Sequence, residues 1–253
     1  MPQCRIDHRD HRAKRLVALA IAATIIAPAH AASRWPPFLP PPGGFSAEIV
    51  ASVERVWAEP TLTRTVEGDA VDIPFETYQA FVDGPDVTAA AARHLGIARH
   101  EVRVREDGWY EADDGDGARG VYRVLVREPG RRVILSRGRH MSPFLGTIGG
   151  RALTVLSFED RGRRIVPGLT AYVLIEDRVA AWLARMLVPI VGHLADWKLS
   201  EGFRITARVA QWAQREPAEF CEWLASRPVE GKGVRQVAEA LPGCHEMQAG
   251  ASR

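Results

Sequence analysis

Between Phe45 and Ala58 the apolar positions Phe45, Ile49, Val53, Val56 and Trp57 recur at helical spacing, with Ser46 as a cap and Pro60 as a stop. This predicts a short amphipathic helix over residues 45–58. A first strand follows over 62–71. Ile73-Pro74 then opens a helix in which Phe75, Tyr78, Phe81 and Val82 share one side, and Asp86 caps a second helix over 87–95 that Gly96 closes. Past residue 100 the period changes. Val102/Val104 and the stretches 121–127, 132–137, 152–159 and 169–176 are short runs rich in Val, Ile, Leu and Tyr, separated by Gly-, Asp- and Pro-rich turns. Strands joined this closely leave no room for crossover helices, so they run antiparallel. Tyr122, Val124 and Val126 alternate with Arg123 and Arg127, which predicts one apolar face in need of a cover.

The cover comes next in the chain. Val179, Leu183, Met186, Leu187, Ile190, Leu194 and Trp197 fall within an arc of about 100° on a helical projection, the stripe of a long helix. Pro189 interrupts that stripe and predicts a bend, which Gly192 eases. In the same phase Ile205 and Trp212 remain on the stripe, but so do Glu201, Arg204 and Arg208. Either the helix rephases near Gly202 or those charges face the sheet. Off the stripe lie Ala180, Ala181, Trp182, Ala184, Val188, Val191 and Ala195, so the helix asks for cover on a second side, from the N-terminal helix, a membrane or a partner. Residues 179–197 are long enough to span a bilayer, but Arg185 and Asp196 argue against it.

The order of strand, two short helices, antiparallel strands and one long C-terminal helix resembles the START-like or SRPBCC (helix-grip) superfamily, which includes lipid-transfer domains, polyketide cyclases and plant pathogenesis-related proteins. The resemblance covers residues 60–216 and rests on element order and on segments such as DAVDIPFETYQAFVD, where a strand leads through a proline into the first helix. It implies an α+β helix-grip fold, a bent antiparallel sheet wrapped around the long helix, with a cavity for a lipid, sterol or polyketide-like molecule. The extra N-terminal helix, Pro189 and the chain after Pro217 depart from that pattern. In such a cavity Leu183, Met186, Leu187, Ile190 and Leu194 would line one wall and Tyr122, Val124, Val126, Ala171 and Val173 another. The apolar, glycine-rich loop at 142–150, with Phe144 in it, would be a gate or an ordinary hairpin loop. Arg137, Arg139 and His140 near that loop, and Glu201 with Arg208 on the helix, are polar candidates for a ligand head group or for plain solvation.

The ends of the chain read differently. Arg5, Arg9, Arg12, Lys14 and Arg15 precede an uncharged run over 16–29 and the small-x-small sequence Ala29-His30-Ala31. That order predicts a secretion signal over 1–31 cleaved after Ala31, with an uncleaved membrane anchor as the minority reading, and an exported, periplasmic or secreted protein. Cys4 lies ahead of the apolar run, so it is not a lipoprotein cysteine. Residues 32–44 hold WPPFLPPPGG and read as an extended linker, 45–59 as the N-terminal helix and 217–253 as a C-terminal tail. Cys221 and Cys244, with 22 residues between them and the two cysteines left after cleavage, are a disulfide candidate in an oxidising compartment, against the alternative of two unpaired thiols in a loose tail.

Charge and composition then narrow the function. The 253 residues carry 33 basic and 31 acidic side chains, and the first 31 residues hold five and two of them, so the remainder is close to −1. A duplex nucleic-acid binder needs a broad basic field, so no nucleic-acid partner is expected. The histidines lack zinc-ligand spacing, Asp113, Asp114 and Asp116 lack the remaining ligands of a calcium loop, and no G-x-S-x-G elbow occurs. Neither a metal, a cofactor nor a catalytic residue is expected. The sequence thus points to a non-catalytic binding or carrier protein for a hydrophobic small molecule, with possible peripheral membrane contact. The alternatives are a cyclase- or aromatase-type enzyme on the same fold and an envelope interaction module with a filled core.

Overall fold

Seven antiparallel strands form one sheet in the order β1-β7-β6-β5-β4-β3-β2, and a 38-residue helix lies along its β1–β7 side. The computed structural model describes residues 35–142, 146–162, 164–227, 232–241 and 243–244, with side chains described except at 142, 185–195, 198 and 232. The strands are β1 (Leu62–Glu67), β2 (Glu101–Val104), β3 (Tyr110–Asp113), β4 (Ala118–Glu128), β5 (Arg131–Ser142), β6 (Gly146–Asp160) and β7 (Ile165–Ile175). The helices are α1 (Ala47–Ala58), α2 (Phe75–Asp83), α3 (Pro85–His94), α4 (Arg178–Arg215), α5 (Pro217–Ala225) and α6 (Lys232–Ala240). The fold is α+β and helix-grip in type, with two short helices after the first strand.

The helix starts follow local chemistry. The Ser46 hydroxyl accepts from the Ile49 N–H at the head of α1, the Asp177 carboxylate accepts from the Ala180 N–H at the head of α4, and Pro85 occupies the first turn of α3. Gly96, at φ +66°, turns the chain off the end of α3.

Register divides the sheet into two faces. Leu135, Leu153 and Tyr172 are aligned across β5, β6 and β7 and point outward, where the N-terminal segment covers them. Ile49, Val53 and Val56 of α1 are buried there, and Phe38 stacks on Tyr172 at 5.7 Å. The proline-rich stretch is therefore not a free spacer: Leu39 is buried in this layer, and Trp35 packs on Phe45. Nor is it extended as expected: the Leu39 N–H donates to the Pro36 carbonyl oxygen at 3.2 Å and the Phe45 N–H to that of Pro42 at 3.0 Å, across a turn and a short 3-10 helix (Pro42–Gly44) that the fixed φ of proline suits.

The inward face divides again. At one end Leu156 and Phe158 meet α2, α3, the second half of α4, α5 and α6 in a dense core. The segment after Pro217 belongs to that core: Phe220, Trp223, Leu224 and Val237 are buried, and Cys221 and Cys244 form a disulfide with their Cα atoms 5.0 Å apart. Arg132, almost fully buried, is held there by bidentate bonds to Asp83 at 2.8 and 2.6 Å and lies over the Phe158 ring. A buried guanidinium needs such complete pairing to persist.

The long helix corrects one expectation. Its backbone is helical through Pro189, but its facing departs from the stripe: Val179 and Trp197 are exposed, whereas Ala180, Ala181, Phe203, Ala207, Ala210 and Ala213 are buried. Arg204 and Arg208 face solvent, and Asp196 faces the sheet, where it takes Arg64 of β1 in bonds of 3.0 and 2.6 Å. The helix meets a sheet edge first and other helices later, and small alanines permit the close approach.

Candidate functional site

The inward face opposite that dense core is open. Its aligned row Tyr122–Ser136–Ala152–Val173–Leu62 is only half-buried, as are Val124, Ile134 and Thr154 one row on. One row further out, Val102, Ala112, Gly120, Gly138, Gly150 and Ile175 cross six strands. The first and last of these rows floor an apolar hollow of about 410 Å³. Three successive glycines leave bare backbone in the floor, and two of them are required by close approach. A Cβ on Gly120 would lie 2.5 Å from the Arg137 carbonyl oxygen, and one on Gly138 would lie 2.7 Å from that of Arg119. Strand glycines of this kind mark where backbones crowd together.

A second recess of about 970 Å³ adjoins the hollow through His100 and Asp114 and is bounded by Arg93, Arg99, Trp197 and Glu201. It runs between the loop after α3, the β3–β4 turn and α4. At the junction the His100 Nδ1 is buried without a hydrogen-bond partner among the described residues. The turn itself is internally satisfied, with Asp114 accepting from the Asp116 and Ala118 N–H groups.

The structure places the expected site residues unevenly. Tyr122 and Val173 line the hollow, Val124 stands beside it and Ala171 is buried at the base of the same face. Val126 does not belong to this face. A bulge between Val124 and Val126 inserts Leu125, so Val126 pairs with Val133 and is buried outward under the N-terminal segment. Leu183 is half-buried, while the side chains of Met186, Leu187, Ile190 and Leu194, and Phe144, lie outside the described residues. The loop expected over 142–150 is mostly ladder, because Ser142 pairs with Gly146 and β6 begins there. Arg137 turns outward to Glu48 at 2.8 Å and over Trp109, whereas Arg139 and His140 are exposed at the rim of the hollow. Glu201 and Arg208 bound separate recesses, so they do not form one polar end.

Sequence reasoning missed Ser136, Ala152, Ile175, His100 and the glycine row. The signal was present in Gly120, Gly138 and Gly150, each inside a strand. Titratable groups stand around the hollow, among them His100, Glu101, Asp113, Asp114, Tyr122 and His140. Burial pushes the Tyr122 hydroxyl well above the ordinary tyrosine range, helped by Tyr110 stacked on it at 4.9 Å. Burial also raises the Asp86 carboxyl, against the lowering effect of the N–H groups of Asp86 and Val87. Asp86 is packed against Gly233 of α6, though, and is not part of the hollow's lining. Among the described residues no cluster of His, Cys, Asp or Glu could hold a metal ion.

No protein-family profile matches the sequence, and neither does any curated protein. Solved structures do. A conserved protein from Geobacillus kaustophilus matches at 16% identity over 60% of this chain and 93% of its own, with a TM-score of 0.42. Ara h 8.0201 matches at 11% identity over 61% of this chain and 100% of its own, with a TM-score of 0.40. Dicamba monooxygenase bound to 3,6-dichlorosalicylic acid matches at 14% identity over 78% and 63%, with a TM-score of 0.38. At these identities the likeness is one of fold alone.

Proposed function

We propose that the protein is a non-catalytic carrier for a hydrophobic small molecule of the lipid, sterol or polyketide-like class, held between the inward sheet face and α4. The observation that carries this reading is the contrast in filling. The inward rows are as apolar as the outward ones, yet they stand half-exposed around about 410 Å³ of space, within the range of small-molecule sites. Binding would bury the faces of Tyr122, Ala152, Val173 and Ile175, with His100, Arg139 and His140 at the polar rim. The basic start and apolar run before Ala31, and the Cys221–Cys244 bond, support an exported protein in an oxidising compartment. A cyclase-type reaction would use an acid or base at the hollow, but there Glu101 and Asp113 are paired with Arg103 and Arg119, Asp114 accepts from the N–H groups of its own turn, and Asp86, whose carboxyl burial raises, stands outside the lining.

Native mass spectrometry of the purified protein, with extraction of co-purified lipid, tests the carrier. The expected result is a bound mass that organic solvent removes, and uptake of fluorescent fatty acid or sterol by the emptied protein. Repeated recovery of the bare chain with no uptake of either probe would overturn it.

A further inference from the structure

Among the described residues, three of the five large apolar side chains that are most exposed gather at one end: Met141 at 70%, Val179 at 63% and Trp182 at 58%. Topology brings them together. Met141 pairs with Thr147 next to the β5–β6 turn, and the Glu176 N–H donates to the Gly149 carbonyl oxygen at 3.0 Å, which sets the start of α4 beside that hairpin. Val179 and Trp182, three residues apart, share the side of α4 away from the buried Ala180 and Ala181.

The charges at this end do not cancel. Glu176 is engaged by Arg151 at 2.9 Å, and Asp177 is spent capping α4. Arg139 and Arg178 are exposed, and among the described residues neither takes part in an ion pair. An aromatic and two aliphatic side chains beside uncommitted arginines complement an anionic interface with an apolar interior. We infer that this end docks on an anionic lipid bilayer, with the Trp182 indole at the headgroup level and Arg139 and Arg178 against lipid phosphates. The inference does not depend on the carrier reading. If both hold, the hollow opens next to the bilayer, because Ile148, Gly149, Gly150 and Ile175 bound it at this same end.

The test uses the full chain with two kinds of vesicle, phosphatidylcholine alone and phosphatidylcholine with phosphatidylglycerol, each carrying brominated acyl chains that quench tryptophan on contact. Quenching is expected on the anionic vesicles, at least halved in Trp182→Phe and retained in Trp197→Phe, which changes an exposed tryptophan further along α4. Arg139→Gln and Arg178→Gln should each weaken binding about five-fold at low salt. Uptake of fluorescent fatty acid from solution should be unchanged in Trp182→Phe, so failure of docking and failure of the carrier reading are told apart. Equal quenching in Trp182→Phe and the parent chain, as expected if the apolar run at 16–29 alone inserts, would overturn the inference. So would equal affinity for neutral and anionic vesicles, or a Trp182-dependent dimer that ignores vesicles.

Discussion

Leu153 and Ala152 are neighbours on β6, and their surroundings could hardly differ more. Leu153 has no exposed surface and lies between Leu135, Tyr172 and the N-terminal segment, while Ala152 faces the half-open hollow. The strands supply similar apolar side chains to both faces. What differs is the partner. The outward face receives a helix and an aromatic, proline-rich stretch that fill it, whereas the inward face receives a helix along one edge and glycines across the middle of its floor. Filling is thus a property of what covers a face, not of the face's own composition.

Substitution at the two neighbours should therefore have opposite signatures, and this is the largest effect expected. Leu153→Ala leaves a cavity in a dry layer and should cost about 2–5 kcal/mol, read by chemical denaturation. Ala152→Leu adds volume where space already exists and should cost under about 1 kcal/mol, while reducing uptake of fluorescent fatty acid or sterol. If Ala152→Leu proved as destabilising as Leu153→Ala, the inward face would be packed after all and the comparison would break.

The disulfide sharpens the same contrast from the closed end. Cys221 and Cys244 tie α5 to the chain beyond α6, inside the core that holds Phe158 and Trp212. Replacing both by Ser should lower stability by about 3 kcal/mol, as a closed loop of this length implies. Probe uptake measured below the unfolding transition should stay as it was. A loss of uptake there would mean that the packed end and the hollow are one cooperative unit.

Parts of this arrangement were legible because local chemistry decides them. Ser46 starts α1, Pro74 and Pro85 open α2 and α3, and Gly96 ends α3; each signal sits within a turn of what it controls. The rest depends on neighbours that are distant in sequence. Alternation read through Leu125 put Val126 on the inward face, and only the pairing with Val133 reveals the bulge. Strand β3, Tyr110–Asp113, has too few apolar residues to announce itself and owes its conformation to β2 and β4. The buried side of α4 cannot be read from one phase, because its partners change from sheet edge to α2, α3 and α5 along its length. Likewise Phe220, Trp223 and Leu224 have helical spacing, but nothing local tells a docked helix from a tail.

A smaller effect tests why the floor is glycine. Gly138→Val would press a Cβ against the Arg119 carbonyl oxygen and Gly120, so the strands must move apart or flatten. A loss of about 1–3 kcal/mol is expected, together with weaker uptake, because the branched side chain also enters the hollow. Stability retained with uptake abolished would show that the glycines matter only for space.

The smallest effect concerns the acid beside the hollow. Asp86 has its carboxyl raised chiefly by burial, so the folded protein binds a proton there more tightly than the unfolded chain does. Its contribution to stability is then fully present below the ordinary aspartate pKa of about 3.9 and is lost as pH rises through the raised value. In its charged form this carboxyl is poorly solvated, and its Oδ1 lacks a partner among the described residues. Asp86→Asn removes that charge while keeping an oxygen for the backbone N–H groups, so it should raise Tm by about 2 °C at pH 7. The difference from the parent chain should shrink steadily on acidification toward pH 4. Uptake should be unaffected, since Gly233 and not the ligand covers this side chain. A variant that gained no stability at neutral pH, or lost uptake, would place Asp86 in contact with the ligand and bring acid chemistry back into the hollow.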